Sequence, residues 1–230
     1  MEPRKLGKLV ADSFDDFYGG LALYAPILLV SVVPGIALQP FIGKAAAAAD
    51  AVFGTLAYAA LVFAIDARQR GEPAGVGDAF GRVPAVLPAL ILSELLVALF
   101  VCGGLLLLIV PGIIMGIRYG LTHLAVLLEG RSGRPALKRS AQLMVAHMGK
   151  VVGNTFVMGL ITLALTLGVA IVIRLTGMPS LLAGGLTTAS VKIIGGWGSV
   201  FAVMLYRDLA ALHPEAAEAP VPVEPPPPAA

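Results

Sequence analysis

Four ionisable side chains stand within the long apolar runs of this 230-residue chain: Glu94, Arg118, His123 and Lys192. A charge near the centre of a bilayer costs several kcal/mol, so each is a candidate for handling a proton or a ligand. Glu94 reads either as half of a structural hydrogen bond or as a proton or ligand site. Arg118 and Lys192, with Arg174 and Lys44, are spaced to line a basic, outward-facing cavity that would favour an anionic group such as a lipid phosphate. The simpler expectation is that Arg118 and Lys192 snorkel outward or meet backbone carbonyls. In a regular hairpin Glu94 and Arg118 differ in depth by roughly 13 Å at 1.5 Å per residue, which argues against a direct pair. His123 follows Thr122 with no second His, Cys or acid at ligand spacing, and reads as a satisfied interior histidine. The sequence shows no nucleophile–base pair, phosphate loop, paired carboxylates or metal cluster. No catalytic residue, metal or cofactor is expected, and the chain reads as a non-enzyme. Cys102, the single cysteine, lies in an apolar span and reads as a small buried hydrophobe.

The elements that hold these residues are membrane elements. Apolar residues make up 58% of the chain and charged ones 13%, against about 25% charged in a soluble domain. Mean hydropathy is +0.90. Between Glu94 and Arg118 runs LLVALFVCGGLLLLIVPGIIMGI, with no charge; roughly 20 such residues cross a hydrocarbon core. The expected fold is all-α, a polytopic membrane bundle of about six transmembrane helices with two interfacial amphipathic helices. The spans fall near 21–43, 45–65, 84–109, 112–128, 151–173 and 182–206. Residues 1–20 hold the first interfacial helix, with Leu6, Leu9, Val10, Phe14 and Phe17 at helical spacing. After the polar stretch Asp66 to Arg82, in which 76–83 suits a short helix, Pro111-Gly112 marks a tight turn between the third and fourth spans. The second interfacial helix falls within Glu129 to Lys150, with Leu137, Ala141, Met144 and Met148 on one face. Residues 210–230 form a disordered, Pro-rich tail.

Loop charges set the expected orientation. If the N-terminus is cytoplasmic, Arg4, Lys5, Lys8, Arg68, Arg70, Arg82, Arg131, Arg134, Lys138, Arg139, Lys150 and Arg207 are all inside, and Lys44 and Arg174 lie outside. Both termini are then cytoplasmic, at a cell inner membrane. A net charge of +2 gives no sign of a nucleic-acid partner. The partners expected are the bilayer and its anionic headgroups, which the basic loop Arg131 to Lys150 would contact. Gly112, Gly116 and Gly120 form a small-residue ridge, and Gly195, Gly196 and Gly198 a second; both suit close packing of helices within the chain, with a homo-oligomer contact as the alternative.

One stretch carries a resemblance. Pro111-Gly112, then Leu127-Leu128-Glu129-Gly130, Ser132-Gly133 and Ala136-Leu137-Lys138-Arg139-Ser140, resemble the membrane domain found fused to some glycerophosphodiester phosphodiesterases and also occurring alone in bacterial inner membranes. Leu205-Tyr206-Arg207-Asp208-Leu209 is similar to that family's closing segment. The family's soluble domain, with its metal-binding acids and histidines, has no counterpart here, so the resemblance implies architecture and not hydrolysis. Two functions follow as expectations: a non-catalytic protein that organises membrane or partner proteins through lipid contact, or a small translocator of lipid or anionic solute using the basic cavity.

Overall fold

The computed structural model describes residues 4–42 and 45–213, and among them eight α-helices and no strand. They are α1 (Leu6–Gly19), α2 (Leu21–Ile42), α3 (Ala45–Gln69), α4 (Val76–Leu107), α5 (Ile109–Tyr119), α6 (Thr122–Glu129), α7 (Arg134–Leu175) and α8 (Ser180–Leu212). The all-α bundle expected from sequence is the fold observed. Four helical segments are long and apolar enough to cross a membrane: 76–106, 109–129, 147–175 and 182–212. The chain is a multi-pass membrane protein by the length and composition of its helices. Lys44 and the tail from residue 214 onward lie outside the described residues.

Neighbouring helices pair as α2–α3, α4–α5 and α7–α8 hairpins. Further contacts of α3 with α4, α5 with α7 and α8 with α2 close the order into a ring. The short α6 packs against α3, α4 and α7. Thr122, Leu124, Ala125, Val126 and Leu127 on it are buried. The α1 helix meets α2 at an 82° bend and lies against α8, where Trp197 Nε1 donates to Ser13 Oγ at 3.0 Å.

Several boundaries differ from the sequence reading, each for a local reason. The 76–83 helix and the third span are one helix, α4, with Pro84 and Pro88 inside it. The hairpin does not turn at Pro111-Gly112. It turns at Leu108, the one extended residue between α4 and α5 (φ −164°, ψ 150°). Pro111 sits in the first turn of α5, where its missing N–H is no loss because first-turn N–H groups lack helical partners. The fourth span is two helices, since the path breaks at Gly120-Leu121 between α5 and α6. The second interfacial helix and the fifth span are joined in α7, with non-helical torsions at His147 (φ −134°, ψ 26°). On its first stretch Leu137, Ala141 and Met144 are buried as expected, whereas Met148 is exposed. The α3 helix continues past residue 65 to Gln69, and α8 continues past 206 to Leu212.

The glycine ridges are used in part. A Cβ on Gly104 would stand 2.9 Å from Gly112 Cα, and one on Gly112 would clash with Leu105, so α4 and α5 approach backbone to backbone there. Gly116 is only at the edge of contact, 4.0 Å from Val101, and the nearest atoms to Gly120 are carbonyls of its own α5. On α8, Gly196 packs on Leu28 and Phe17, while a Cβ on Gly195 would meet nothing within 4 Å. Among the described residues, then, Gly116 touches α4 only through Val101, and Gly120 and Gly195 meet no other helix.

Gly104→Leu should splay the α4–α5 hairpin and lower stability by about 1–3 kcal/mol, as overpacked sites do. Gly103→Leu, at a position with open space around it, should leave it nearly unchanged. Thermal melting of the two variants in detergent checks the contrast.

Candidate functional site

The four intramembrane candidates do not converge on one cavity. Lys192 on α8 reaches across to α3, where a Cβ on Gly54 would stand 3.5 Å from its Nζ. One turn along α3, Tyr58 meets His123 of α6 edge to face, with 5.5 Å between ring centroids. Lys192 and His123 thus meet α3 one turn apart, at Gly54 and Tyr58. Glu94 is exposed on α4. Arg118 stands apart: it is exposed in the last turn of α5, a helix that packs on α4 and α7. Arg174, at the end of α7, is exposed as well.

The densest polar constellation lies elsewhere, in residues the sequence reading treated as loop charges or as family signature. Arg139 on α7 is fully buried and donates from Nε to both Glu129 oxygens at 2.8 and 3.0 Å. Glu129 closes α6 and also accepts from Tyr206 Oη of α8 at 2.7 Å. Arg131 Nε pairs with its other oxygen at 2.7 Å. One carboxylate therefore ties together α6, α7 and α8. Removing a guanidinium from water demands such a partner, because an uncompensated buried charge is strongly destabilising.

The local backbone makes this possible. Gly130 ends α6 in the left-handed region (φ 67°), and Gly133 precedes α7 at φ 59° and ψ −130°, a conformation that a side chain would resist. The Gly133 N–H donates to Ser93 Oγ of α4 at 2.9 Å, and Ser93 in turn donates to the Ala89 carbonyl. Ser140 performs the matching task at the α5–α6 break: its Oγ accepts from the Leu121 N–H at 3.1 Å and donates to the Arg118 carbonyl at 3.0 Å. Backbone groups freed inside a membrane must be satisfied within the protein, and Ser140 does so from the neighbouring helix.

Around this centre runs a belt of further ion pairs. Asp66 of α3 pairs with Arg207 of α8 and with Arg70 at 3.0 Å. Asp16 of α1 pairs with Arg68 at 3.1 Å and accepts from Gln69 at 3.0 Å. Arg4 pairs with Asp208 at 2.8 Å and with Asp12 at 3.0 Å, so residues 4 and 208 lie at the same end of the bundle. The Asp208 hydrogen bond raises the Arg4 pKa, against burial, and Asp12 adds to the rise.

No family model, curated protein or solved structure matches this chain. Its site is therefore described from its own geometry. Four of its members, Glu129, Arg139, Ser140 and Tyr206, come from the segments that carry the resemblance noted in the sequence.

Glu129→Ala should cost about 3–5 kcal/mol, because it leaves Arg139 buried without its counter-charge. Arg118→Leu should leave stability within about 0.5 kcal/mol or raise it, since the exposed side chain is not part of that network. Reversible unfolding in mixed micelles with increasing sodium dodecyl sulfate measures both, and equal losses in the two variants would refute the assignment.

Proposed function

We propose that this chain is a non-catalytic, six-span protein of the cell inner membrane, with both termini cytoplasmic, that organises the bilayer or partner proteins through lipid contact. What carries this reading is α6. Its Leu124, Ala125 and Val126 are fully buried between α3, α4 and α7, so apolar side chains fill the middle of that end of the bundle. Arg118, which a basic path would need to line, stands on α5 apart from Lys192 and His123. The span count rests on the four apolar segments together with α2 and α3, which at 22 and 25 residues have the length to cross. The orientation is supported by the belt of ion pairs. Arg4, Arg68, Arg70, Arg131, Arg139 and Arg207, all counted as inside by the loop-charge rule, gather through α8 at one end.

The resemblance to the glycerophosphodiester phosphodiesterase membrane domain enters this proposal as a likeness of architecture. The residues that carry it hold helices together: Gly130 and Gly133 form the turn, and Glu129, Arg139 and Ser140 form the network. A second reading, a translocator of lipid or anionic solute, draws on one observation. The fourth span is broken at Gly120-Leu121, beside the His123–Tyr58 contact, and discontinuous helices line the sites of many transporters.

Liposomes holding the purified chain separate the two readings. Under the organiser reading, neither the parent nor Lys192→Ala passes fluorescent phospholipid or an anionic dye faster than empty liposomes. Flux in the parent that falls several-fold in Lys192→Ala would replace it with the translocator. A green fluorescent protein fused at the C-terminus should fluoresce, and an alkaline phosphatase fused there should be silent; the reverse pattern would overturn the orientation.

A further inference from the structure

The outer face of the first stretch of α7 carries charge that no acid among the described residues meets. Ala136, Leu137, Arg139 and Ser140 are buried against the bundle. Arg134 and Lys138, one turn apart, are exposed, and neither makes an ion pair or a hydrogen bond through its side chain among the described residues. Val145 is exposed as well, at 62%. The 42 residues of α7 include no acid at all. The acids nearby are engaged: Glu129 accepts from Arg139 and Tyr206, and Asp208 is paired with Arg4. Water can serve exposed cations, so this face is a docking surface only if a partner of opposite charge is brought to it.

The chain itself supplies one. His213 is the last of the described residues, and it caps α8 against α7. Its carbonyl accepts from Arg139 Nη1 at 3.2 Å, and its ring meets that of His147 edge to face, with 5.5 Å between centroids. Residues 214–230 therefore begin beside α7. They contain Glu215, Glu218 and Glu224 and no Lys, Arg or His. At roughly 3.5 Å per extended residue, Glu215 can reach about 7 Å from His213 and Glu218 about 18 Å. Arg134 and Lys138 are about 6 Å apart along the helix at 1.5 Å per residue. A carboxylate on so short a tether acts at a high effective concentration, which makes surface pairs count that would be negligible between separate molecules. We propose that the acidic segment 214–230 docks on the exposed face of α7, with Glu215 and Glu218 pairing to Arg134 and Lys138. The chain thereby covers its own basic face, and an anionic headgroup reaches Arg134 and Lys138 only by displacing the segment. This contact goes beyond the organiser reading and does not depend on it, because both partners belong to the chain.

Reductive methylation with an isotopic label marks each lysine and keeps its charge, so methyl NMR of the full chain reads Lys138 and Lys192 separately. In nanodiscs of phosphatidylcholine alone, which offer no anionic headgroup, the combined substitution Glu215→Gln, Glu218→Gln and Glu224→Gln should move the Lys138 signal. Lys192, in the first half of α8, should stay in place. Raised salt should move Lys138 of the parent the same way, because exposed pairs are screened. Phosphatidylglycerol should then shift Lys138 in the variant at a several-fold lower lipid fraction than in the parent, since the competing segment has lost its charge. A Lys138 signal identical in parent and variant, one unmoved by salt, or a Lys192 signal that moves with it would each overturn the docking. An equal response to phosphatidylglycerol in both proteins would overturn it too, and would assign the face to headgroups.

Discussion

The Glu129 carboxylate accepts from Arg139 on α7, from Arg131 in the turn between α6 and α7, and from Tyr206 on α8. Without it the fully buried Arg139 has no counter-charge, and the first stretch of α7 cannot lie where it does. Buried ion pairs often add little net stability over a well-packed apolar substitute, because desolvation offsets attraction. Their effect is to make alternatives worse. A register of α6 against α7 that separates Glu129 from Arg139 strands two charges at once. The pair therefore selects one arrangement of a short helix that has only eight residues, too few to hold a position by its own helical propensity.

The same constraint explains why the fourth span can break. A chain inside a membrane satisfies every backbone group internally, and a break at Gly120-Leu121 frees a carbonyl and an N–H. Ser140, the neighbour of Arg139 in sequence, answers both with one hydroxyl. Ser93 of α4 does likewise for the turn at Gly133. Two adjacent residues on α7 thus fix both ends of α6: Arg139 its C-terminus through Glu129, Ser140 its N-terminus through Leu121. The break and the charge pair are one structural unit, which accounts for the sequence segment Leu127 to Ser140 being the most patterned part of the chain.

Much of this was legible before any coordinates. Apolar run lengths located all the long helices, because a span is set by hydrocarbon thickness and not by partner residues. Helical periodicity found the buried face of α1 at Leu9 and Phe17, and that of the first stretch of α7 at Leu137, Ala141 and Met144. What escaped is what depends on contact between distant segments. The turn at Leu108 looked misplaced because Pro111 is a strong breaker in general, yet harmless within a first helical turn. The break at Gly120 leaves no composition signal, since the side chain that satisfies it comes from residue 140. Glu94, Arg118 and Lys192 stand out in the sequence through the cost of an intramembrane charge, a rule that holds for charges removed from water. Arg139 meets that condition, but in the sequence it stands among other basic residues, Arg134 and Lys138, which are exposed. A carboxylate that ends an apolar helix, followed by a glycine turn and an R-S pair, is the signal that would have found it.

The two ends of the bundle are therefore held by different forces. At the charged end, buried residues of α1, α3, α6 and α8 surround the ion pairs, and water-driven burial and electrostatics act together. At the other end Leu106, Ile109 and Leu175 are largely exposed, and the apolar stretch of α7 is only 6% buried against 44% for that of α8. Lipid tails are as apolar as these side chains, so no hydrophobic force presses the α4–α5 and α7–α8 hairpins together there. Close backbone approach, as at Gly104 and Gly112, and the surrounding lipid hold that end instead.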